Sequence, residues 1–151
     1  MRVLGIDPGA GHTGWAIVDL PERTIFRIGT VRKDNWAETL EGLKIATAGY
    51  SGLVSLVAVN VPAKSGEKAA FFDRSGKKSP MAIVKNGVTS GEAAGYFLGL
   101  GYRVVKVTSK PRHGLKMNAK LWARYWGHDG RCSEDARDAA QIALIGAEEA
   151  K

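Results

Sequence analysis

Hydrophobic positions in the first 32 residues fall into three short runs separated by turns. Residues 2–7 have the pattern of a buried strand, residues 13–19 that of a second strand, and residues 24–32 alternate like an outer strand. Because short turns join these runs, the pattern predicts an antiparallel meander at the N-terminus.

The middle of the chain predicts a helix, a strand and a long loop. Residues 36–50 show helical spacing, and residues 53–61 are almost wholly apolar, which is typical of a central parallel strand covered on both faces. Residues 63–88 are rich in Gly, Lys and Ser. This composition predicts a long surface loop.

The last third alternates helices with one strand. We expect a helix from Thr89 or Ser90 to about Leu100, a strand over residues 102–107, and helices over residues 115–126 and 133–149. The resulting order β-β-β-α-β-α-β-α-α predicts an α/β three-layer fold, with a mixed central sheet of five strands flanked by helices. No repeat or linker interrupts it, so residues 1–151 are expected to form a single domain.

Composition narrows the class of protein. The chain has 151 residues, of which 44% are hydrophobic and 25% charged, as in an ordinary globular domain. No apolar run approaches the ~18 residues of a membrane span, and no signal segment precedes the first strand. A single cysteine excludes a disulfide framework. We therefore expect a cytoplasmic protein without a membrane partner.

Charge is distributed unevenly. The net charge is +7, and residues 101–126 contain seven basic residues and no acid, while residues 64–85 contain six basic residues and two phenylalanines. Basic residues interleaved with aromatics favour a nucleic-acid surface over a merely solvated basic face. The candidate DNA-binding residues are Lys64, Lys68, Phe71, Phe72, Arg74, Lys77, Lys78, Lys110, Arg112, His113, Lys116 and Lys120.

Three further aromatics lie in the predicted basic helix. Trp122, Tyr125 and Trp126 have helical spacing. Such spacing favours packing in the core or at a dimer contact over stacking on bases.

Three acids are candidates for catalysis. Asp7 ends the first predicted strand beside a Gly-rich turn, although Asp-Pro-Gly is also ordinary turn chemistry. Asp135 and Asp138 share one face of the terminal helix; Asp135 also suits the helix dipole, whereas Asp138 lies among alanines and needs a partner or a metal. Oxygen ligands without a Cys or His cluster favour Mg²⁺ or Mn²⁺, and on a basic protein they indicate phosphodiester hydrolysis with two cations.

Four segments together resemble the RuvC-type Holliday junction resolvases. Residues 2–19 (RVLGIDPGAGHTGWAIVD) are similar to the family's opening, and residues 90–95, 110–120 and 134–140 (SGEAAG, KPRHGLKMNAK and EDARDAA) follow in family order. The resemblance spans nearly the whole chain and implies an RNase H-like fold.

The same resemblance implies an activity. Asp7, Asp135 and Asp138 would be metal ligands for two Mg²⁺ ions, for which Mn²⁺ can substitute, and Lys120 would lie near the scissile phosphate. Members of the family act as homodimers that make symmetric paired nicks in four-way DNA junctions and leave 5′-phosphate and 3′-hydroxyl ends.

Position 60 departs from the family. The family has an acid, usually Glu, at the end of the fourth strand, whereas this chain has Asn60. We expect position 60 to belong to the catalytic and metal site, where an asparagine offers only a neutral oxygen. Three interpretations stay open: an engineered inactivating change, which we favour; a natural site that works with three acids; or a protein that binds junctions without cutting them.

Two other enzyme classes share the opening motif. YqgF-like nucleases act on RNA, and the basic residues 110–120 argue against that interpretation. ATP-handling proteins with this fold core need two such domains around the nucleotide, whereas this chain predicts one.

Overall fold

A five-stranded mixed sheet forms the centre of the fold. This computed structural model describes residues 1–9, 11–33, 36–61, 80–108 and 117–151. The spatial order is β3-β2-β1-β4-β5, and β1 pairs antiparallel with β2 and parallel with β4. The strands are β1 (Arg2–Asp7), β2 (His12–Asp19), β3 (Thr24–Arg32), β4 (Leu56–Val61) and β5 (Val104–Thr108). The predicted meander and the mixed α/β sheet are confirmed.

Helices cover both faces of this sheet. The described helices are α1 (Trp36–Thr47), α2 (Pro80–Gly99), α3 (Ala119–Trp126) and α4 (Glu134–Glu149), with a short 3₁₀ turn at Ser51–Leu53. One apolar cluster joins α3 and α4 to the sheet, and a second joins α1 and α2 to the opposite face. This is the predicted three-layer arrangement. Within the described ranges, no helix is long and apolar enough to cross a membrane.

Helix α4 packs unusually close to the sheet because both surfaces carry small residues. A Cβ added to Gly5 of β1 would lie 1.9 Å from the carbonyl oxygen of Ala139, and one added to Gly146 would lie 2.4 Å from the Cβ of Ala58. Only glycine permits such an approach between backbones. Gly5 and Gly146 therefore determine how closely α4 approaches β1 and β4.

The long-loop prediction was wrong in its last part. Helix α2 begins at Pro80, so residues 80–88 are helical, and Thr89 and Ser90 are buried inside the helix instead of lying at its start. Proline suits the first helical position because its missing N–H needs no partner there. The apolar residues that follow Pro80 continue the helical pattern, which the Gly- and Lys-rich composition of the segment concealed.

Several other boundaries differ from the predictions. Helix α1 ends at Thr47, three residues short of the predicted end, and β4 begins at Leu56, after the 3₁₀ turn. Helix α3 begins at Ala119 because the Asn118 side chain accepts a hydrogen bond from the backbone N–H of Leu121. The cap therefore places the start of α3 four residues later than the predicted start at residue 115.

The tryptophans of α3 belong to the core. Trp122 and Trp126 are buried, and the Nε1 groups of these rings donate to the Arg137 carbonyl oxygen and to Oε1 of Gln141. Tyr125 is half-buried and packs against the same cluster. The prediction of a packing role for these aromatics is confirmed, and α3 is thereby fixed to α4.

Candidate active site

Asp7 and Asn60 are in direct contact at one edge of the sheet. They lie at the carboxyl ends of the paired strands β1 and β4, where Ile6 is opposite Val59. The Nδ2 group of Asn60 donates a hydrogen bond of 2.9 Å to Oδ1 of Asp7. The two side chains are only 9% and 7% exposed. The side chain at position 60 therefore faces Asp7.

Both side chains are on the face that α4 covers. Side chains alternate between the faces of a strand, and Gly5, two residues before Asp7, meets the backbone of α4. Ala58, two residues before Asn60, meets Gly146 of the same helix. The pair is therefore directed toward the helix that carries the other two candidate acids.

The amide of Asn60 leaves one buried polar atom without a partner. While Nδ2 donates to Asp7, Oδ1 is buried and accepts no hydrogen bond within the part of the chain that the structure describes. An unsatisfied buried carbonyl oxygen is costly, and native structures contain few of them. Hard cations take both amide and carboxylate oxygens as ligands, so the chemistry of this pair fits Mg²⁺ or Mn²⁺.

Gly14 brings the start of α4 to the level of Asp7. Gly14 is opposite Asp7 in the β1–β2 register, and a Cβ on it would lie 2.0 Å from the carbonyl oxygen of Asp135. Ser133 caps the helix, because its Oγ accepts from the N–H of Ala136, and it also bonds Thr30 of β3. The first turn of α4 is thus held against two strands beside the Asp7–Asn60 pair.

The two acids of α4 are half-buried at this end of the helix. Asp135 is in the first turn, and Asp138 is on the following turn of the same face. Among the described residues, no three His, Cys, Asp or Glu side chains form a group suited to hold a metal ion. The ligand roles of Asp7, Asn60, Asp135 and Asp138 therefore stay predictions.

The basic candidates are described only in part. Lys120 is an exposed residue in the first turn of α3. The remaining DNA-binding candidates are outside the described residues: Lys64, Lys68, Phe71, Phe72, Arg74, Lys77, Lys78, Lys110, Arg112, His113 and Lys116.

A groove that the sequence did not reveal opens beside this site. It has a volume of about 440 Å³ and is lined on one side by β3 and on the other by the residues that lead into α4. Two arginines, Arg32 and Arg131, contribute to its wall. They are 99 positions apart in the sequence, and no local pattern relates them. We call this feature the β3–α4 groove.

The fold matches that of RuvC. The chain of "T. thermophilus RuvC in complex with Holliday junction substrate" superposes with a TM-score of 0.69 and 19% sequence identity, over 99% of this chain and 94% of that chain. The fold class is therefore the RNase H-like three-layer fold predicted from the sequence.

Curated proteins named crossover junction endodeoxyribonuclease RuvC are similar in sequence. The protein of Chelativorans sp. (strain BNC1) is 30% identical over 95 residues, covering 62% of this chain and 52% of its own length. That of Wolbachia sp. subsp. Drosophila simulans is 27% identical over 111 residues, covering 72% and 61%. The chain thus spans about half the length of the curated relatives it matches, and no family model matches it. The resemblance to RuvC-type proteins is confirmed in sequence and in fold.

Proposed function

We propose that this chain is a divalent-metal-dependent endonuclease that resolves four-way DNA junctions, the class of activity for which its relatives are named. The observation that carries the proposal is the buried contact between Asp7 and Asn60 at the carboxyl ends of β1 and β4. Two polar side chains in an otherwise apolar part of a sheet need a functional reason, because burying them without one costs stability.

Each candidate site residue has a distinct proposed role in cleavage. Asp7, the position 60 side chain, Asp135 and Asp138 would hold two Mg²⁺ ions, with Mn²⁺ as a substitute. When bound, such ions polarise the scissile phosphate and lower the pKa of an attacking water. Lys120 would neutralise charge that develops on the phosphate. Release of the 3′ oxygen would leave a 3′-hydroxyl and a 5′-phosphate, and a homodimer would nick both strands symmetrically.

Asn60 weakens this arrangement. An amide brings no negative charge, and its N–H already satisfies Asp7 without a cation. A carboxylate at this position would favour a divalent ion more strongly. We therefore expect weak cutting by the chain as it stands, which is consistent with a change that inactivates the site.

The same hydrogen bond favours a second candidate function. A protein that binds branched DNA without cutting it has no need of a charged fourth ligand, and an Asp7 carboxylate that already accepts a hydrogen bond from Asn60 suits such a protein. The two functions share every basic residue, so only cleavage separates them.

Cleavage of a labelled four-way junction tests the proposal. The chain and its Asn60→Glu and Asn60→Asp variants would be incubated with the junction and with linear duplex, in Mg²⁺ and in Mn²⁺, with Asp7→Asn added to each variant as the inactive control. We expect paired nicks in the junction once an acid is restored. Cutting by the unchanged chain would mean that three carboxylates suffice. Junction-selective binding without cutting by any version would establish the binding module.

A further inference from the structure

The β3–α4 groove has a wall suited to an anion. Its lining includes Gly29, Thr30 and Arg32 from β3, and Arg131, Cys132 and Ser133 before α4. None of the described lining residues is an Asp or Glu. A concave surface with two positive charges and no negative charge attracts phosphate groups.

The two arginines of the groove are available for a ligand. Arg32 and Arg131 are exposed, and neither guanidinium forms a hydrogen bond or ion pair within the described ranges. Arg2, by contrast, binds Asp19 through two hydrogen bonds, and Arg137 donates to the Cys132 carbonyl oxygen. A guanidinium presents a planar set of donors that matches phosphate oxygens.

The remaining lining adds no competing charge. The hydroxyls of Thr30 and Ser133 bond each other, and Ser133 also caps α4, so these groups hold the wall in place. Burial raises the pKa of the Cys132 thiol, which keeps it neutral at pH 7. The acids Glu134 and Asp135 follow directly in the first turn of α4 but are not part of the groove wall.

The groove lies along the same sheet edge as the candidate active site. Arg32 is opposite His12 in the β2–β3 register, and Gly14, two residues further along β2, is opposite Asp7. Neighbouring strands are ~4.8 Å apart, so β3 lies about 10 Å from β1. A DNA strand whose scissile phosphate is at Asp7 can therefore place a nearby phosphate at this groove.

We propose that the β3–α4 groove binds a backbone phosphate of the DNA, a few nucleotides from the one that is cut, through Arg32 and Arg131. The inference rests on the proposed function, since that function supplies the DNA. A backbone contact of this kind positions a substrate without reading its sequence.

Charge-neutral variants test the two arginines. Arg32→Gln and Arg131→Gln would be compared with Arg27→Gln, a matched control on the same strand whose side chain instead contacts Tyr50. Binding of a labelled four-way junction and of linear duplex would be measured by fluorescence anisotropy over a range of salt. Each groove variant is expected to bind both DNAs about tenfold more weakly, with a salt slope smaller by about 1. Binding equal to that of Arg27→Gln would overturn the proposal.

The chain's only cysteine gives a second, independent readout. Cys132 lines the groove, so saturating duplex DNA is expected to slow its alkylation severalfold. A Cys132→Ser, Leu53→Cys variant is the control, because Leu53 is exposed and precedes β4 at the opposite end of the sheet. Its alkylation rate should not change with DNA. An unchanged rate at Cys132 under saturation would show that the DNA lies elsewhere.

The results separate this inference from the proposed function. If the groove variants lose DNA binding but no version of the chain cuts, the phosphate site stands and the nuclease proposal fails. If junctions are cut and the groove variants bind DNA normally, the nuclease proposal stands and the phosphate site fails. Absence of any DNA binding by the unchanged chain would overturn both.

Discussion

At the scale of single residues, position 60 decides how the candidate site behaves without metal. The Asn60 amide donates to Asp7, so the two side chains attract each other in a buried location. Two carboxylates at this distance would repel each other unless a cation lay between them. The residue at position 60 thus sets whether this buried pair depends on a cation for its stability.

The Asn60→Asp variant is expected to make folding cation-dependent. Loss of the hydrogen bond and gain of like-charge repulsion should lower the free energy of unfolding in EDTA by about 1–3 kcal/mol. Mg²⁺ should recover most of that loss, whereas it should change the unaltered chain little. Thermal unfolding with and without Mg²⁺ measures both effects. The control is Asn60→Leu, which should lose stability in EDTA and should not regain it in Mg²⁺. If Mg²⁺ stabilises the Asn60→Leu and Asn60→Asp variants equally, the expectation is contradicted.

Gly14→Ala tests how tightly α4 is held beside Asp7. The added methyl would lie 2.0 Å from the Asp135 carbonyl oxygen, so the backbone of the helix must move. We expect a loss of about 1–3 kcal/mol in the free energy of unfolding, measured by urea denaturation. Gly95→Ala in α2 is the matched control, because its Cβ would enter open space. The free energy of unfolding of that variant should be unchanged or higher by ~0.4–1 kcal/mol, as is usual when alanine replaces a glycine whose backbone conformation it can adopt. Equal stability of the two variants would show that α4 adapts freely.

At the scale of elements, paired strands and capped helices carry the site residues. An ion pair between Arg2 and Asp19 joins β1 to β2 at the end opposite Asp7, with Nε of Arg2 2.7 Å from Oδ1 of Asp19. This hydrogen-bonded pair lowers the pKa of Asp19 below its usual value. A lowered carboxyl pKa stabilises the fold above the pKa of the unfolded chain, and that stability is lost as pH falls through the folded-state pKa.

Arg2→Met should therefore flatten the acid side of the stability profile. Without the guanidinium, the pKa of Asp19 returns toward its ordinary value, and less stability is lost on acidification. Urea unfolding at a series of pH values from neutral down to about 3 measures the slope. Both side chains are partly exposed, so the difference should be small and should shrink in high salt. A profile as steep as that of the unaltered chain would assign the acid sensitivity to other carboxyls.

Asn118→Ala tests the cap that begins α3. The Asn118 side chain accepts from the N–H of Leu121, and the helix that follows carries Lys120 in its first turn. Loss of the cap should cost about 1 kcal/mol in the free energy of unfolding. Asn118→Ser should retain most of the stability, because its hydroxyl can accept the same hydrogen bond. If serine and alanine are equally destabilising, the Asn118 side chain acts through another contact.

At the scale of the whole molecule, the proposed paired nicks require two sites. Each chain supplies one Asp7–Asn60 edge, so symmetric cutting implies that two copies act together. We expect sedimentation to give a complex whose mass equals that of one four-way junction plus two chains of 16.2 kDa each. Hybrids of an active Asn60→Glu subunit with a subunit also carrying Asp7→Asn should nick one strand only. Paired nicks by a species of monomer mass would contradict the homodimer.

The order of the elements could be read from the sequence because it depends on local patterns. The β1 and β3 strands have the predicted bounds, and α4 begins at Glu134, within one residue of its predicted start at 133. Boundaries failed where a single local interaction overrides composition, as at Pro80 and at the Asn118 cap. Such interactions involve one or two atoms and leave little trace in an average over neighbouring residues.

From the sequence alone, Asp7, Asp135 and Asp138 are candidates for the site by residue type, strand end and helical spacing, and the resemblance to RuvC-type proteins adds position 60. Only the tertiary structure decided which of them meet. Asn60 donates to a carboxylate 53 positions earlier, and Arg32 shares a groove with Arg131. These meetings depend on strand register and on the close approach of α4 at Gly5 and Gly14. Register and packing are set by contacts between distant segments, which the pattern along one segment does not contain.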